Sequence, residues 1–169
     1  MRDEAGKLFM IWKEDGNSVG KPTPIWAQEL NEARTALVGE KKELFRNDKG
    51  WEGNLVEGVS MLKKGDYYYL FINRGACCKG ASSTYYVQVA RSTSIYGPYT
   101  DTRTLLPNTS GKYKGPGHIG VLKQDGCNYV STHYYDLNDN GAAKLDILKM
   151  TYSNGWPTLT RNFSVASCG

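Results

Sequence analysis

Apolar residues recur along this chain in short runs that end at turn residues, with almost no helical spacing. The run from Leu55 to Leu62 reads as a strand. It reaches a turn at Lys63-Lys64-Gly65-Asp66, and Tyr67-Tyr68-Tyr69-Leu70-Phe71-Ile72 reads as the antiparallel partner. The same motif, an apolar run, a turn ending in glycine and an aromatic run, occurs three times. Its marker glycines are Gly6, Gly65 and Gly126, 59 and 61 residues apart. That spacing is longer than the roughly 40–50 residues of common propeller repeats and leaves room for long loops.

Each repeat continues alike. A third strand is expected at 24–30, 85–91 and 143–150. A weaker fourth element is expected at 37–45, at Gly97-Pro98-Tyr99 and at 155–159. Residues 29–36 fit a helical turn or a hairpin loop equally well. The pattern predicts an all-β chain, a partial β-propeller of four-stranded antiparallel blades in one domain, 1–169. Its units lie at roughly 1–50, 51–110 and 111–169. In the second unit the first strand opens at Glu57, eight residues before Gly65. In the third the equivalent residue is His118, eight before Gly126, and in the first it would precede Met1. The chain therefore holds about two and three-quarter blades, whereas a ring closes with roughly four to eight. Such a chain is expected to be part of a longer one, or a homo-oligomer whose copies cover the open blade edges.

Composition supports this picture. Of 169 residues 40% are hydrophobic and 22% charged, enough for a packed core; 12 Tyr and 19 Gly suit strands and turns. The net charge of +4 is scattered, which argues against a nucleic-acid partner. No apolar run approaches the roughly 18 residues of a membrane span, so no membrane partner is expected. Met1 to Ala5 has no apolar core of the kind a secretory leader carries. The four cysteines, Cys77, Cys78, Cys127 and Cys168, lack metal-ligand spacing. Neighbouring Cys77 and Cys78 are read as small buried side chains, because bonding adjacent cysteines strains the backbone.

Chemistry concentrates at the two equivalent polar positions. An acid at the mouth of a buried strand is costly unless paired or hydrogen-bonded, so Glu57 is a candidate for proton transfer; a solvated strand-end glutamate is the plainer alternative. His118 breaks the apolar pattern at the same place, and the flanks match: Gly58 follows Glu57, and Gly117 precedes His118. A turn histidine is its plainer reading. Asp3 and Glu4 fall in a turn at the far end of the strand, Asp136 and Asp139 in a loop, and His133 mid-strand as a structural residue.

Several motifs occur in order: 51–58 (WEGNLVEG), 67–71 (YYYLF), 76–80 (ACCKG) with 83–85 (STY), 90–92 (ARS) with 97–99 (GPY), and 115–118 (GPGH). Together they resemble glycoside hydrolase family 43, most nearly its arabinanases and arabinofuranosidases. The resemblance implies a five-bladed propeller and inverting hydrolysis by three carboxylates: a general base, a second aspartate that orients the acid, and a glutamate general acid. Glu57 matches the acid. His118 matches a histidine that helps hold calcium. The base and the second aspartate have no counterpart in this sequence. Inversion needs two carboxyls roughly 6.5–9.5 Å apart with water between base and sugar, so Glu57 alone could protonate the leaving oxygen but not activate water.

The resemblance places the loop of Arg74, Cys77 and Cys78 close to substrate. Trp51 could stack on a sugar ring or anchor a loop, and Asn54 could bind a hydroxyl. The expected partner is a plant-cell-wall oligosaccharide containing arabinose or xylose. The alternatives are a non-catalytic, carbohydrate-binding or self-assembling half-propeller and, within the family, a β-xylosidase.

Overall fold

The computed structural model describes residues 1–47 and 55–165. Its strands are β1 (Leu8–Lys13), β2 (Pro24–Leu30), β3 (Leu37–Arg46), β4 (Val56–Lys64), β5 (Tyr67–Arg74), β6 (Tyr86–Ser92), β7 (Thr102–Leu106), β8 (Thr109–Ser110), β9 (Tyr113–Gln124), β10 (Cys127–Asp136), β11 (Ala142–Ser153) and β12 (Trp156–Thr160). They form three antiparallel sheets, ordered β1-β2-β3, β4-β5-β6-β7 and β8-β9-β10-β11-β12. In the first sheet, a single bridge from Arg2 to Leu8 stands where the others have a full strand.

The glycines that marked the repeat sit at its hairpin turns with left-handed backbone, φ +80° at Gly6, +58° at Gly65 and +76° at Gly126. Residues 31–36 are a hairpin loop closed by the Asn31 side chain, which accepts from the Thr35 and Ala36 amides at 2.8 and 3.1 Å. The fourth strand of the second sheet is not at Gly97-Pro98-Tyr99. It is β7, Thr102–Leu106. The earlier stretch is a loop that buries Tyr99, whose hydroxyl donates to the Ile95 carbonyl at 3.1 Å. An aromatic beside Gly-Pro looks like a strand end in sequence, but here it is a plug.

The sheets stack face to face, so the second is covered on both sides. Along β5 successive side chains alternate between two cores. Tyr68, Leu70 and Ile72 pack with Phe9, Ile25 and Leu44 of the first sheet. Tyr69 and Phe71 pack with Ile119, Val130, Leu148 and Trp156 of the third. The uninterrupted apolar run of β5 thus follows from burial on both faces. Arg91 clamps the second boundary. Its guanidinium lies between the rings of Tyr67 and Trp156, 4.5 and 4.3 Å from their centroids, and donates to the Gly155 carbonyl at 2.5 Å.

Phe71 is fully buried at that boundary. Phe71→Ala removes a ring the neighbours cannot replace, and should lower unfolding stability by about 3–5 kcal/mol in urea titration. Leu145→Ala, at a position 71% exposed, should change it by less than about 0.5 kcal/mol.

Candidate active site

One end of the stacked sheets gathers the polar residues. The end of β1, the starts of β4 and β9 and the ends of β5 and β10 meet there. Glu57 lies at the second position of β4, its side chain 25% exposed. Lys13, the last residue of β1, reaches across the sheet boundary and places its Nζ 3.6 Å from Glu57 Oε2 and 3.6 Å from Asp15 Oδ1. The Tyr85 phenol lies near enough for the charge of Glu57 to act on it: burial first, then that negative charge, pushes the phenol's pKa up. The Lys13 ammonium and the Tyr85 phenol are thus the neighbours of the Glu57 carboxyl.

Asn73 lies beneath this acid, paired with Glu57 across the β4–β5 ladder and fully buried. Its Nδ2 donates to the carbonyls of Tyr86 at 3.0 Å and Pro116 at 3.1 Å, which ties the second sheet to the third. The glycines that flanked the two equivalent positions close on this one side chain. A Cβ on Gly58 would come within 2.6 Å of Asn73 Oδ1, and one on Gly117 within 2.4 Å of Nδ2. Gly58 has φ +60° and sits where the β4–β5 register shifts between Glu57 and Ser60. Such an irregularity re-aims the neighbouring side chain, here Glu57.

His118 is solvent-exposed on β9. His133 lies behind it on β10, stacked on Tyr85 with ring centroids 6.0 Å apart. Burial, then the charge of His118, lowers the His133 pKa against the opposing pull of the Gly115 carbonyl. Its Nε2 and Asn73 Oδ1 are buried without a hydrogen-bond partner among the described residues.

The loop after β5 differs from expectation in two ways. Arg74 is 1% exposed; its Nε donates to Gln88 Oε1 and its guanidinium stacks 5.1 Å from the Phe45 ring centre. It ties sheets together inside the protein and presents no face to a ligand. Cys77 and Cys78, read as unbonded small side chains, are joined to each other by a disulfide. The backbone accommodates the ring because Cys78 adopts a left-handed conformation, φ +67°. The Cys78 amide donates to the Tyr135 hydroxyl at 2.8 Å, and the pair borders the mouth with Cys78 exposed. Cys127 is disulfide-bonded as well. Trp51 and Asn54 lie outside the described residues.

The acids set aside in the sequence stay away from Glu57. Glu4 contacts the Tyr68 hydroxyl and lies 3.9 Å from Lys63 at the opposite end of β4. Asp136 caps the short turn 137–139 by accepting from the Asn138 amide at 2.9 Å, and pairs with Lys144 at 3.1 Å. Desolvation opposes its ionisation, yet that amide and the lysines hold its pKa low. Lys13 and Asn73 had no sequence signal, because each meets Glu57 across a strand or sheet boundary, and Tyr85 stood in the 83–85 motif with no role attached.

Stacked antiparallel sheets of three, four and five strands, with a glutamate at one end, are the architecture of a β-propeller seen in part. The family model for glycosyl hydrolases family 43 matches residues 1–157, and the chain belongs to that family. It is 38% identical over 112 residues to the extracellular exo-α-(1→5)-L-arabinofuranosidase ArbA of Cellvibrio japonicus (strain Ueda107), covering 60% of this chain and 32% of that protein. The exo-1,5-α-L-arabinanase from a bovine ruminal metagenomic library superposes with a TM-score of 0.80 at 31% identity, covering 95% of this chain and 54% of that one. The Cellvibrio cellulosa α-L-arabinanase complexed with arabinohexaose gives a TM-score of 0.79 at 26% identity, covering 95% and 55%. The chain thus spans about a third of that curated relative and about half of these structures.

Calcium takes six to eight oxygen ligands. Among the described residues no group of three or more His, Cys, Asp or Glu side chains could hold a metal, and the donors at His118 and His133 are nitrogens. These side chains alone do not fit calcium.

Two measurements test this site. Gly58→Ala meets both an unfavourable φ and the Asn73 side chain, whereas Gly65→Ala at φ +58° has nothing within 4 Å. Gly65→Ala should cost about 1 kcal/mol and Gly58→Ala at least about 1 kcal/mol more; equal costs would remove the Asn73 contact from the account. For His133, the unfolded chain takes up a proton near pH 6.5 while the folded chain resists until lower pH. Stability should therefore fall as pH drops below about 6.5. Urea midpoints at stepped pH should show a shallower fall in His133→Gln.

Proposed function

We propose that this chain supplies the acid-bearing part of an inverting glycosidase acting on α-1,5-linked arabinan or related arabinose-containing oligosaccharides. Glu57 is its general acid. The observation that carries the reading is the setting of Glu57, between Lys13 and Tyr85 at the shared end of three sheets. Family membership and the arabinan-cleaving relatives support the substrate class.

In the proposed step Glu57 gives its proton to the leaving glycosidic oxygen. A second carboxylate takes a proton from the water that attacks the anomeric carbon, and the configuration inverts. The resemblance assigns that carboxylate, and the aspartate that orients the acid, to polypeptide beyond these residues. Lys13 and Tyr85 flank the Glu57 carboxyl as the proton leaves. The Cys77–Cys78 pair and, by resemblance, Trp51 and Asn54 are the groups proposed to meet sugar hydroxyls and ring faces. Calcium near His118 would be held through water and carbonyl oxygens, and no step passes through it.

Residues 1–169 alone should show no turnover above background on linear arabinan or nitrophenyl α-L-arabinofuranoside. Calorimetry should detect arabino-oligosaccharide binding that is stronger than binding of xylo-oligosaccharides. Hydrolysis by this chain that disappears in Glu57→Gln would overturn the assignment of water activation elsewhere. Stronger binding of the xylose series would move the substrate class to xylan.

A further inference from the structure

The loop between β5 and β6 carries the Cys77–Cys78 disulfide at the border of the mouth. Its supports come from the second and third sheets and not from the outer faces of the stack. The short turn Gly80–Ser82 within it packs on β9, β10 and β11, and a Cβ on Gly141 would come within 2.3 Å of the Ala81 amide nitrogen. Side chains hold the rest. The Ala76 amide donates to Thr84 Oγ1 at 2.9 Å, the Cys78 amide to the Tyr135 hydroxyl at 2.8 Å and the Lys79 amide to Ser83 Oγ at 3.1 Å. Cys78 itself is left-handed, φ +67°. Asp125, Asn140 and Asn154 share that conformation, and each precedes a glycine in a tight turn. Cys78 is not followed by glycine, and its bond to Cys77 holds it there. A residue with a side chain, once released, leaves the left-handed region for a less crowded one.

The disulfide-bonded cysteines differ in access. Cys78 is exposed and Cys77 half-buried, whereas Cys127, bonded as well, is 3% exposed. Exposed disulfides are the ones that thiols reach and reduce. We propose that Cys77–Cys78 is a redox modification site, opened by an external dithiol and reclosed by the reverse exchange with a disulfide, and that its state locks or releases the loop at the mouth. A thiolate of the dithiol attacks the Cys78 sulfur, and the Cys77 sulfur leaves as a thiolate and takes up a proton. The second thiol of the reagent attacks the mixed disulfide, and the Cys78 sulfur leaves in the same way. The protein gains two electrons and two protons, and the dithiol becomes a cyclic disulfide. Freed, Cys78 turns out of the left-handed region and draws its amide off the Tyr135 hydroxyl. The Tyr135 ring meets His133 edge-on, 5.3 Å between centres, and His133 stacks on Tyr85. Opening the bond therefore loosens one aromatic wall of the mouth. Any effect on sugar binding rests on the function proposed above, and the test reads the loop alone.

The intact chain is titrated with dithiothreitol from about 0.1 to about 10 mM, and the freed thiols are alkylated and located by mass spectrometry. Cys77 and Cys78 should be alkylated at a reagent concentration at least about tenfold below that needed for Cys127. Hydrogen exchange of amides 76–79 should then quicken at least about tenfold, while the amides of β5 and β10 stay protected. Cyclic disulfide in excess should restore slow exchange. Cys77→Ser combined with Cys78→Ser should show the fast exchange with no reductant present. Should that variant lose its circular dichroism signature, the titration of the unaltered chain decides by itself. Alkylation of Cys127 together with the pair overturns the proposal. Exchange at 76–79 that stays slow in the opened chain overturns it equally.

Discussion

Asn73 is the constraint on which the mouth of this protein depends. It is fully buried, bonds two carbonyls on different strands, and has one glycine pressed against it from the next strand of its own sheet and one from the third sheet. One amide side chain thereby sets the separation of β4 from β9, and with it the spacing of Glu57 and His118. Gly58 and Gly117 follow from that contact, because neither position has room for a Cβ. The left-handed backbone at Gly58 then turns Glu57 toward Lys13 and Tyr85. A buried amide could have been replaced by an apolar residue without loss of core. Its use here ties the polar end of the second sheet to the third with directional bonds that apolar packing does not supply.

Strand order, hairpin turns and the partial-propeller character were legible in the sequence because they rest on local signals: alternation, turn glycines and a repeat. Glu57 and His118 were legible for the same reason, as matching breaks in matching strands. Their partners were not. Lys13 is 44 residues from Glu57 and Tyr85 is 28 away, and nothing local ties either one to Glu57. Arg74 was placed near substrate by the resemblance alone, and no local signal in the sequence shows that the first sheet packs over it. The Cys77–Cys78 bond was misread because adjacency argues against closure for extended backbone; a left-handed Cys78 removes that objection.

The site is chemically one-sided. It has a proton carrier, and the water-activating half of the reaction belongs elsewhere in the proposal. The order of the sheets makes this division possible. The acid rests on the central sheet, with Lys13 of the first sheet beside it.

The double burial of β5 has a further consequence, for strand alignment. In a sheet with one wet face, a slip by one residue throws apolar side chains into water, and that penalty enforces register. β5 is apolar on both faces, so a slip would exchange one core for the other at little hydrophobic cost. Alignment must come from groups that have a single address. Tyr68 finds Glu4, Tyr69 finds the Gly155 carbonyl at 2.8 Å, and Asn73 finds Tyr86 and Pro116. The hydroxyls and the amide along this strand act as a vernier for a run of residues whose hydrophobicity cannot tell one position from the next.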